Sequence, residues 1–250
     1  MTPVAARLAE LRLAVMLLTR LPVGRFAAAP PPLNAAIWAY PLVGLPIGAV
    51  IWAVSAGAIY LTALPAMIAA VLALGAMLMA TGGLHADGLA DTADGLGGGR
   101  DRAHCLEIMK DSRIGAYGVM ALGVVLALWA LGLAQIWAGG AARHTLIGVL
   151  GVCVASRVCM AAVLVWMPSA REGGLGDKAA GGSGKALVPG AVLAVALLWP
   201  VIGVCVPMIA VTAYLAWRAQ RRIGGQTGDV LGAVQLASEA AGLIAVQAMM

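Results

Sequence analysis

The chain has 250 residues, of which 62% are hydrophobic and 11% charged, with a formal net charge of +5. A mean hydropathy of +0.95 and several charge-free stretches of about 20 residues exclude an ordinary water-soluble domain, because hydrocarbon must surround most of such a chain. The stretches are continuous rather than alternating in polarity, which argues against a transmembrane β-barrel. The composition predicts an all-α, polytopic transmembrane helical bundle that forms one membrane domain over residues 1–250.

The first predicted element is an amphipathic helix over residues 4–21 that lies at the membrane interface. Its apolar run, 13–18, is short. Charged residues bracket that run on both sides, namely Arg7, Glu10, Arg12 and Arg20. This pattern disfavours a cleavable signal peptide.

About seven hydrophobic segments follow. Four continuous apolar helices are predicted first, at 35–62, 65–81, 115–138 and 145–167. The next apolar stretch, 187–217, is too long for one untilted helix at about 1.5 Å per residue and short for two full spans. Pro200 predicts a break there, and hence a tight hairpin of 187–200 and 202–217. A last segment at 230–250 completes the set.

The distribution of basic residues predicts the orientation, since short cytoplasmic loops carry an excess of Lys and Arg. With seven spans and a cytoplasmic N-terminus, fourteen of the sixteen basic residues fall on the cytoplasmic side. Of the other two, Arg143 lies outside and Arg157 lies within a span. We therefore expect a cytoplasmic (inner) membrane protein, and the positive charge requires no nucleic-acid partner.

The acidic residues are concentrated in one place, because six of the eleven lie within residues 87–111. In the run Asp87-Gly-Leu-Ala-Asp91-Thr-Ala-Asp94-Gly95, spacings of four and three residues place the three Asp side chains on one helix face. Adjacent carboxylates repel one another unless a cation lies between them. Oxygen ligands suit Mg²⁺, with Mn²⁺ as a substitute, and Mg²⁺ characteristically completes its shell with water and substrate phosphate. The pattern predicts a cytoplasmic catalytic segment at 82–114 with Asp87, Asp91 and Asp94 as metal ligands.

A purely structural alternative is an acidic helix cap that pairs with nearby basic side chains. The interleaved glycines favour the functional alternative, because glycine lets a ligand approach the backbone closely. A second short helix is expected at 101–113, and Lys110 and Arg113 at its end supply cations suited to clamp a diphosphate. Asp111 is either a further ligand or a partner that orients them.

His85 is expected to point to the opposite side of the helix from the carboxylates, so it is not counted as a metal ligand. If the preceding Gly82-Gly83 pair bends the chain, a hydrogen-bonding or proton-transfer role for His85 with the substrate stays open.

The four cysteines show no paired spacing and, with three histidines, give no zinc pattern, so free thiols are expected. Gly181-Gly-Ser-Gly-Lys185 ends like a phosphate-binding loop, but Ala179 and Ala186 replace residues that this motif requires.

Two charged residues are predicted inside the membrane. Arg157 lies near the middle of its span, where a bare cation costs at least ~2.5 kcal/mol, and Glu239 lies at similar depth. They form either an ion pair that holds helices together or part of a polar cavity for a large substrate. Gln226 and Asp229 lie in a glycine-rich turn before the last span. They either contact the guanine or ribose of a nucleotide or cap the helix that follows.

Taken together, residues 81–95 and 107–115 resemble the signature of the cobalamin synthase family, the adenosylcobinamide-GDP ribazoletransferases. Further matching pieces extend the resemblance along nearly the whole chain. They are Leu18-Thr-Arg-Leu-Pro-Val23, Tyr40-Pro-Leu-Val-Gly44, Ala155-Ser-Arg157, Arg171-Glu-Gly-Gly-Leu-Gly176 and Gly224-Gly-Gln-Thr-Gly-Asp229, followed by Glu239.

The resemblance implies the last step of the cobalamin nucleotide loop, in which the cobinamide phosphate of adenosylcobinamide-GDP is joined to α-ribazole or its 5′-phosphate. The implied products are adenosylcobalamin, or its 5′-phosphate, and GMP. It also implies an enzyme integral to the membrane and dependent on Mg²⁺. The sequence shows no soluble domain for the corrinoid, which leads to the hypothesis that other nucleotide-loop enzymes deliver substrate at the membrane.

Two competing functions share some of these features. Gly83-x₃-Asp87-x₃-Asp91 matches the second half of the motif of CDP-alcohol phosphotransferases, but residues 65–80 are apolar where the first half should be. A cation transporter would use Arg157 and Glu239 along its path. The carboxylates, however, cluster at the predicted membrane surface and no inverted repeat is evident.

Overall fold

The computed structural model describes residues 2–27, 29–139, 142–179 and 181–249, and in these ranges the regular structure is helical, with one isolated bridge between Ser169 and Gln226. The α-helices are α1 Pro3–Leu18, α2 Gly44–Thr62, α3 Ala66–Thr81, α4 Leu84–Gly98, α5 Arg102–Ile108, α6 Ala116–Gly139, α7 Ala142–Trp166, α8 Leu175–Ala179, α9 Val188–Leu198, α10 Cys205–Ile223 and α11 Gly228–Met249. Short 3₁₀ helices lie at Leu33–Ala39, Pro41–Val43, Gly184–Leu187 and Trp199–Val204. The predicted all-α class is confirmed.

Five helical stretches in the described ranges are long and apolar enough to cross a bilayer, and the chain is a multi-pass membrane protein. They are Pro41–Thr62, Ala116–Gly139, Ala142–Trp166, Gly184–Ile223 and Gly228–Met249. A sixth is obtained if α3 and α4, which are bent by 91° to one another, form one broken span. The predicted number of about seven segments is therefore approximate. Residue 250, the end of the last predicted segment, lies outside the described residues.

The stretch Gly184–Ile223 is the predicted hairpin. Val201, directly after Pro200, has non-helical backbone angles (φ −131°, ψ 36°) that separate α9 from α10. Gly190 lies against Val158 of α7 and Leu198 lies against Gly151, so α9 runs antiparallel to α7. The chain then returns, and the carbonyl oxygen of Ile223 at the end of α10 accepts a hydrogen bond from Arg102. The second arm is longer than predicted, because α10 continues beyond residue 217 through the polar segment 218–222 and ends at Ile223.

Two consecutive glycines turn α4 across the end of the bundle. Gly82 and Gly83 both have left-handed backbone conformations, with φ of +65° and +70°, which cost little for glycine alone. Their backbone N–H groups bond to the carbonyl oxygens of Met79 and Leu78 and end α3. The axis of α4 then lies at 91° to that of α3, so the acidic motif lies on a short helix of its own that meets α3 at a sharp angle.

The N-terminal helix begins at a capping residue. Thr2 Oγ1 accepts a hydrogen bond from the N–H of Ala5, which satisfies one of the free donors of the first turn. On its inner side, the carboxylate of Glu10 accepts a hydrogen bond of 2.6 Å from Trp38 Nε1 and pairs with Arg7 at 2.7 Å. Val4 and Leu8 are exposed, and so is Arg7, so the exposed side of α1 is mixed and its predicted place at the interface stays a prediction. The helix ends at Leu18, three residues before the predicted boundary at 21.

A buried ion pair joins three helices in the core. Arg157 Nη1 lies 3.1 Å from Glu239 Oε2, and the two side chains are 0% and 1% exposed. The Glu239 carboxylate also accepts hydrogen bonds from Trp129 Nε1, Ser156 Oγ and Gln235 Nε2. This arrangement confirms the ion-pair alternative. Neither charged residue lines a described cavity beside the acidic cluster, so a substrate contact for Arg157 or Glu239 has no support here.

Candidate active site

The candidate site lies where α4 crosses the N-terminal end of α11. Small residues permit this crossing, because a Cβ atom added to Gly88 would lie 2.7 Å from the carbonyl oxygen of Asp229. On the other helix, a Cβ atom added to Gly232 would lie 3.2 Å from the Cα of His85. The close approach brings the acidic face of α4 beside Asp229 in the first turn of α11. The partial positive charge of a helix N-terminus favours carboxylates at this position.

The Asp94 side chain is bound to another helix, whereas the sequence predicted that it lies free beside Asp87 and Asp91. Its two carboxylate oxygens accept hydrogen bonds of 2.7 and 2.9 Å from the N–H groups of Gly115 and Gly118, at the start of α6. The side chain is buried, with 7% exposed. The free N–H groups of a helix start need acceptors, and Asp94 supplies them. The structure thus differs from the expectation of three equivalent metal ligands, because one of the three carboxylates fixes α4 to α6.

Three other carboxylates lie near the crossing of α4 and α11. We call them the carboxylate cluster: Asp87, Asp91 and Asp229. The pKa of Asp91 is raised to about 6 by burial first, and then by the negative charges of Asp87, Asp229 and Asp94. Arg171 opposes this shift. The cluster therefore carries an excess of negative charge that its own basic neighbours only partly offset.

The turn before α11 positions the third carboxylate of the cluster. Thr227 Oγ1 accepts a hydrogen bond from the N–H of Val230 and donates one of 3.2 Å to Asp229 Oδ2. Thr227 is therefore the residue that caps α11, and this leaves Asp229 to face Arg171, whose Nη1 lies 3.9 Å away. Asp229 does not cap α11, so the helix-cap alternative for this residue is wrong.

Gln226 is a structural residue of the same turn. Its side chain is fully buried, and Nε2 donates a hydrogen bond of 3.2 Å to the carbonyl oxygen of Gly176. Its backbone exchanges hydrogen bonds with Pro168 and Ala170. These contacts tie the loop after α7 to the start of α11. Gln226 Oε1 has no hydrogen-bond partner among the described residues, so the predicted contact of Gln226 with a nucleotide stays a prediction.

The predicted cationic clamp is not assembled at the cluster. Arg113 binds the carboxylate of Asp111, with Nη2 to Oδ2 at 2.6 Å, and 87% of the Arg113 side chain is exposed. The guanidinium lowers the pKa of Asp111 to about 2. Asp111 thus pairs with Arg113, and its predicted role at a diphosphate stays a prediction. Lys110 is exposed. Of the segment 110–113, Ser112 is the residue that lines the cavity next to the cluster.

Two arginines outside the predicted site face the carboxylates instead. Arg20 lines a polar cavity of about 510 Å³ together with Asp87, Asp91 and Ser112. Arg171 lines a second cavity of about 240 Å³ on the other side of Asp229. Both arginines belong to segments that carry the family resemblance, 18–23 and 171–176. That resemblance was the feature of the sequence from which their role could have been predicted.

His85 lies on the inner side of α4, where the bend at Gly82-Gly83 places it. The side chain is 3% exposed, and neither ring nitrogen has a hydrogen-bond partner among the described residues. Burial, and then the charge of Arg157, lower the pKa of His85 to about 3, so the ring is neutral. It lines a third, apolar cavity that also reaches Asp87 and Asp229. The condition for a substrate contact by His85, a bend in the preceding chain, is met.

The donor set of the cluster fits a hard divalent cation. Among the described residues, no three His, Cys, Asp or Glu side chains form a ready-made ligand set. Mg²⁺ needs none, because it usually takes one or two carboxylates and fills its shell with water and substrate phosphates. Burial, and then the negative charges of the neighbouring carboxylates, raise the pKa of Asp91, and a cation at this point would relieve that repulsion.

Comparison with known proteins identifies the family. The family model for cobalamin-5-phosphate synthase matches residues 10–247. The chain belongs to the cobalamin-5-phosphate synthase family. An adenosylcobinamide-GDP ribazoletransferase of Azorhizobium caulinodans is 40% identical over 96% of this chain and 95% of its own length. Ribazoletransferases of Bradyrhizobium diazoefficiens (39% identical, 93% and 90% covered) and Xanthobacter autotrophicus (41% identical, 86% of each chain covered) are similar. No solved structure matches the chain.

In this member of the family, the crossing of α4 and α11 leads to a prediction about Gly88. Gly88→Ala forces the Asp229 backbone to move, because the added Cβ would lie 2.7 Å from its carbonyl oxygen. Misplacement of a reacting group by about 1 Å costs about 100-fold in rate, so we expect the turnover of the purified variant to fall by about that factor. Gly75→Ala is the matched control, since α3 offers open space around that position. Wild-type turnover of Gly88→Ala would contradict the role of this crossing.

Proposed function

We propose that this protein is an adenosylcobinamide-GDP ribazoletransferase that completes the nucleotide loop of cobalamin. It transfers the cobinamide phosphate of adenosylcobinamide-GDP to α-ribazole or its 5′-phosphate and releases GMP. One observation carries the proposal beyond the family match. Three cavities meet at the carboxylate cluster, and each of them includes Asp87 or Asp229 in its wall. A bisubstrate reaction at a diphosphate needs such a junction.

The reaction exchanges one phosphorus–oxygen bond for another. A ribose hydroxyl oxygen of the acceptor bonds to the phosphorus that carries cobinamide, and the bond from that phosphorus to the bridging oxygen breaks. The bridging oxygen leaves with its electron pair as part of GMP, and the hydroxyl proton passes to a carboxylate of the cluster or to water. Negative charge develops on the transferring and leaving oxygens, so catalysis requires positive charge nearby.

The residues of the cluster divide this work. Asp87, Asp91 and Asp229 would hold Mg²⁺, or Mn²⁺ in its place, which supplies the positive charge that the phosphoryl oxygens need. Arg20 and Arg171, which line different cavities beside the cluster, attract the diphosphate, as guanidinium groups do. Asp94 keeps α4 in register with the start of α6.

The setting of the enzyme is part of the proposal. Arg20, Arg102 and Arg171 lie at the same end of the bundle as the carboxylate cluster, which supports an N-terminus and active site on the cytoplasmic side of the inner membrane. Delivery of the corrinoid by other nucleotide-loop enzymes at the membrane is a further hypothesis. Loss of all co-purification with such enzymes after mild detergent extraction would count against it.

The two competing functions are less well supported. A CDP-alcohol phosphotransferase would need acidic residues in α3, whose sequence Ala66–Thr81 contains none. A transport path through Arg157 and Glu239 would need access to them, whereas their side chains are 0% and 1% exposed.

An acceptor-dependence assay tests the proposed function. The protein is reconstituted into liposomes with adenosylcobinamide-GDP, Mg²⁺ and α-ribazole, and GMP and the corrinoid product are quantified together. We expect equal amounts of the two products, none when α-ribazole is left out, and none when EDTA is added. A folded protein that releases no GMP, or that releases it equally without an acceptor, would overturn the proposal.

A further inference from the structure

The apolar cavity beside the carboxylate cluster has the size and lining of a pocket for one flat ring system. Its volume is about 150 Å³, and an apolar protein cavity of about that volume accommodates a benzene-sized ring. Six of its lining residues are large apolar side chains on four helices, α1, α4, α7 and α11. These are Leu17, Leu18, Leu84, Met160, Leu164 and Leu231.

The polar groups of this cavity lie at defined places. Asp87 and Asp229 form the part of the wall that belongs to the carboxylate cluster, and the other polar side chains of the lining are His85 and Tyr40. The Tyr40 hydroxyl donates a hydrogen bond of 3.4 Å to the carbonyl oxygen of Leu33. The buried ring of His85 has no hydrogen-bond partner in the described part of the chain. An unpaired buried polar group costs about 1–3 kcal/mol, so the position favours a ligand that carries a matching donor or acceptor.

We infer that this cavity, named here the base pocket, binds the planar heteroaromatic base of the acceptor nucleoside, and that His85 hydrogen-bonds the ring nitrogen that carries no ribose. The inference rests on the proposed function. Ribazole is the riboside of a benzimidazole, whose bicyclic ring is apolar apart from that one nitrogen. Its six-membered ring matches the pocket volume, and its five-membered ring, which carries both nitrogens, then lies towards Asp87 and Asp229. An imidazole ring has an N–H donor to offer the nitrogen that carries no ribose.

The guanine of the donor fits the base pocket poorly. Guanine has several donors and acceptors around its edge, and each would need a partner when buried. The 240 Å³ cavity on the other side of Asp229 offers Arg171, Asp177 and Ser169, which suits a polar base better. With the acceptor base in the base pocket, its ribose lies at the pocket wall formed by Asp87 and Asp229, where the proposed reaction needs the attacking hydroxyl.

The proposed hydrogen bond is tested by a cycle of two acceptors and two proteins. The acceptors are the α-ribosides of 5,6-dimethylbenzimidazole and of 5,6-dimethylindole, in which C–H replaces the free ring nitrogen. We expect wild-type kcat/KM for the acceptor to be about tenfold higher with the benzimidazole, the usual effect of one hydrogen bond. In His85→Phe this ratio should fall to about one, with the KM for adenosylcobinamide-GDP unchanged. An unchanged ratio in a folded variant would overturn the role of His85.

A second variant tests the base pocket without changing His85. Leu231→Trp adds bulk to the lining from α11, where the native side chain is 8% exposed, and Ile244→Trp places the same bulk at a 38% exposed position of that helix. We expect Leu231→Trp alone to raise the KM for α-ribazole at least about tenfold while the donor KM stays within about twofold. A raised donor KM with an unchanged acceptor KM would overturn the inference.

The proposed function and the base pocket can be tested independently of one another. If folded wild-type protein releases no GMP with either acceptor, the proposed function is wrong, and the base pocket is then tested by equilibrium binding of dimethylbenzimidazole riboside alone. Binding to wild type that is lost in Leu231→Trp and kept in Ile244→Trp would support the pocket. Absent binding, or equal binding by all three proteins, would overturn it.

Discussion

Asp91→Asn should reduce transfer from adenosylcobinamide-GDP to α-ribazole by about 10³-fold, the upper range for loss of one group that stabilises developing charge. The substitution keeps the size of the side chain but removes the charge that a divalent cation requires. The reduction should appear in kcat at saturating Mg²⁺ and substrates. Glu107→Gln is the matched control, because Glu107 is an exposed acid on the neighbouring helix α5. Equal loss in both variants would contradict a specific role of the cluster.

The same variant should be more stable than the wild type when no divalent cation is present. The pKa of Asp91 is raised to about 6, so above that pH its charge destabilises the folded state relative to an unfolded chain in which the pKa is ordinary. The gain in melting temperature of Asp91→Asn over wild type in EDTA should therefore be full near pH 8. It should shrink as the pH falls through 6 towards 4, where the wild-type carboxyl becomes protonated. Lower stability of the variant at pH 8 would contradict the electrostatic account.

Glu239→Leu should destabilise the protein by about 3–5 kcal/mol, because it leaves the fully buried guanidinium of Arg157 without its counter-charge. The same change also removes the acceptor of hydrogen bonds from Trp129, Ser156 and Gln235. We expect poor recovery of folded protein and an early transition in a thermal unfolding scan in detergent.

The double variant Arg157→Met/Glu239→Leu separates a structural role from a catalytic one. Replacement of a whole buried pair by apolar residues is often neutral, so part of the stability and of the transfer activity should return. If the double variant regains stability but stays inactive, the ion pair takes part in the reaction. If Glu239→Leu folds as well as the wild type and loses activity alone, the structural account is wrong.

The sequence was sufficient to predict the elements whose signals are local. Continuous apolar runs predicted the spanning helices, and Pro200 predicted the turn of the hairpin that forms at Val201. The Asp spacing predicted a helix with its carboxylates on one side, because helical periodicity depends only on neighbours in the chain.

The tertiary partners of these residues could not be predicted in the same way. The spacing made Asp94 equivalent to Asp87 and Asp91, but the start of α6 supplies N–H donors that bind it. Asp229 joins the carboxylates from a helix that begins more than a hundred residues later. Lys110 and Arg113 are near the motif in sequence but point into solvent, since proximity along the chain does not place a side chain in a cavity.

The proposed cation site at the crossing of α4 and α11 is tested most directly by a Mn²⁺ titration followed by electron paramagnetic resonance. Purified wild type, Asp91→Asn and Glu107→Gln are titrated in the presence and absence of adenosylcobinamide-GDP. We predict saturable Mn²⁺ binding that tightens when the diphosphate substrate is added, is kept in Glu107→Gln and is lost in Asp91→Asn. Binding that is identical in all three proteins, or unaffected by the substrate, would contradict a cation held between the carboxylates and the diphosphate.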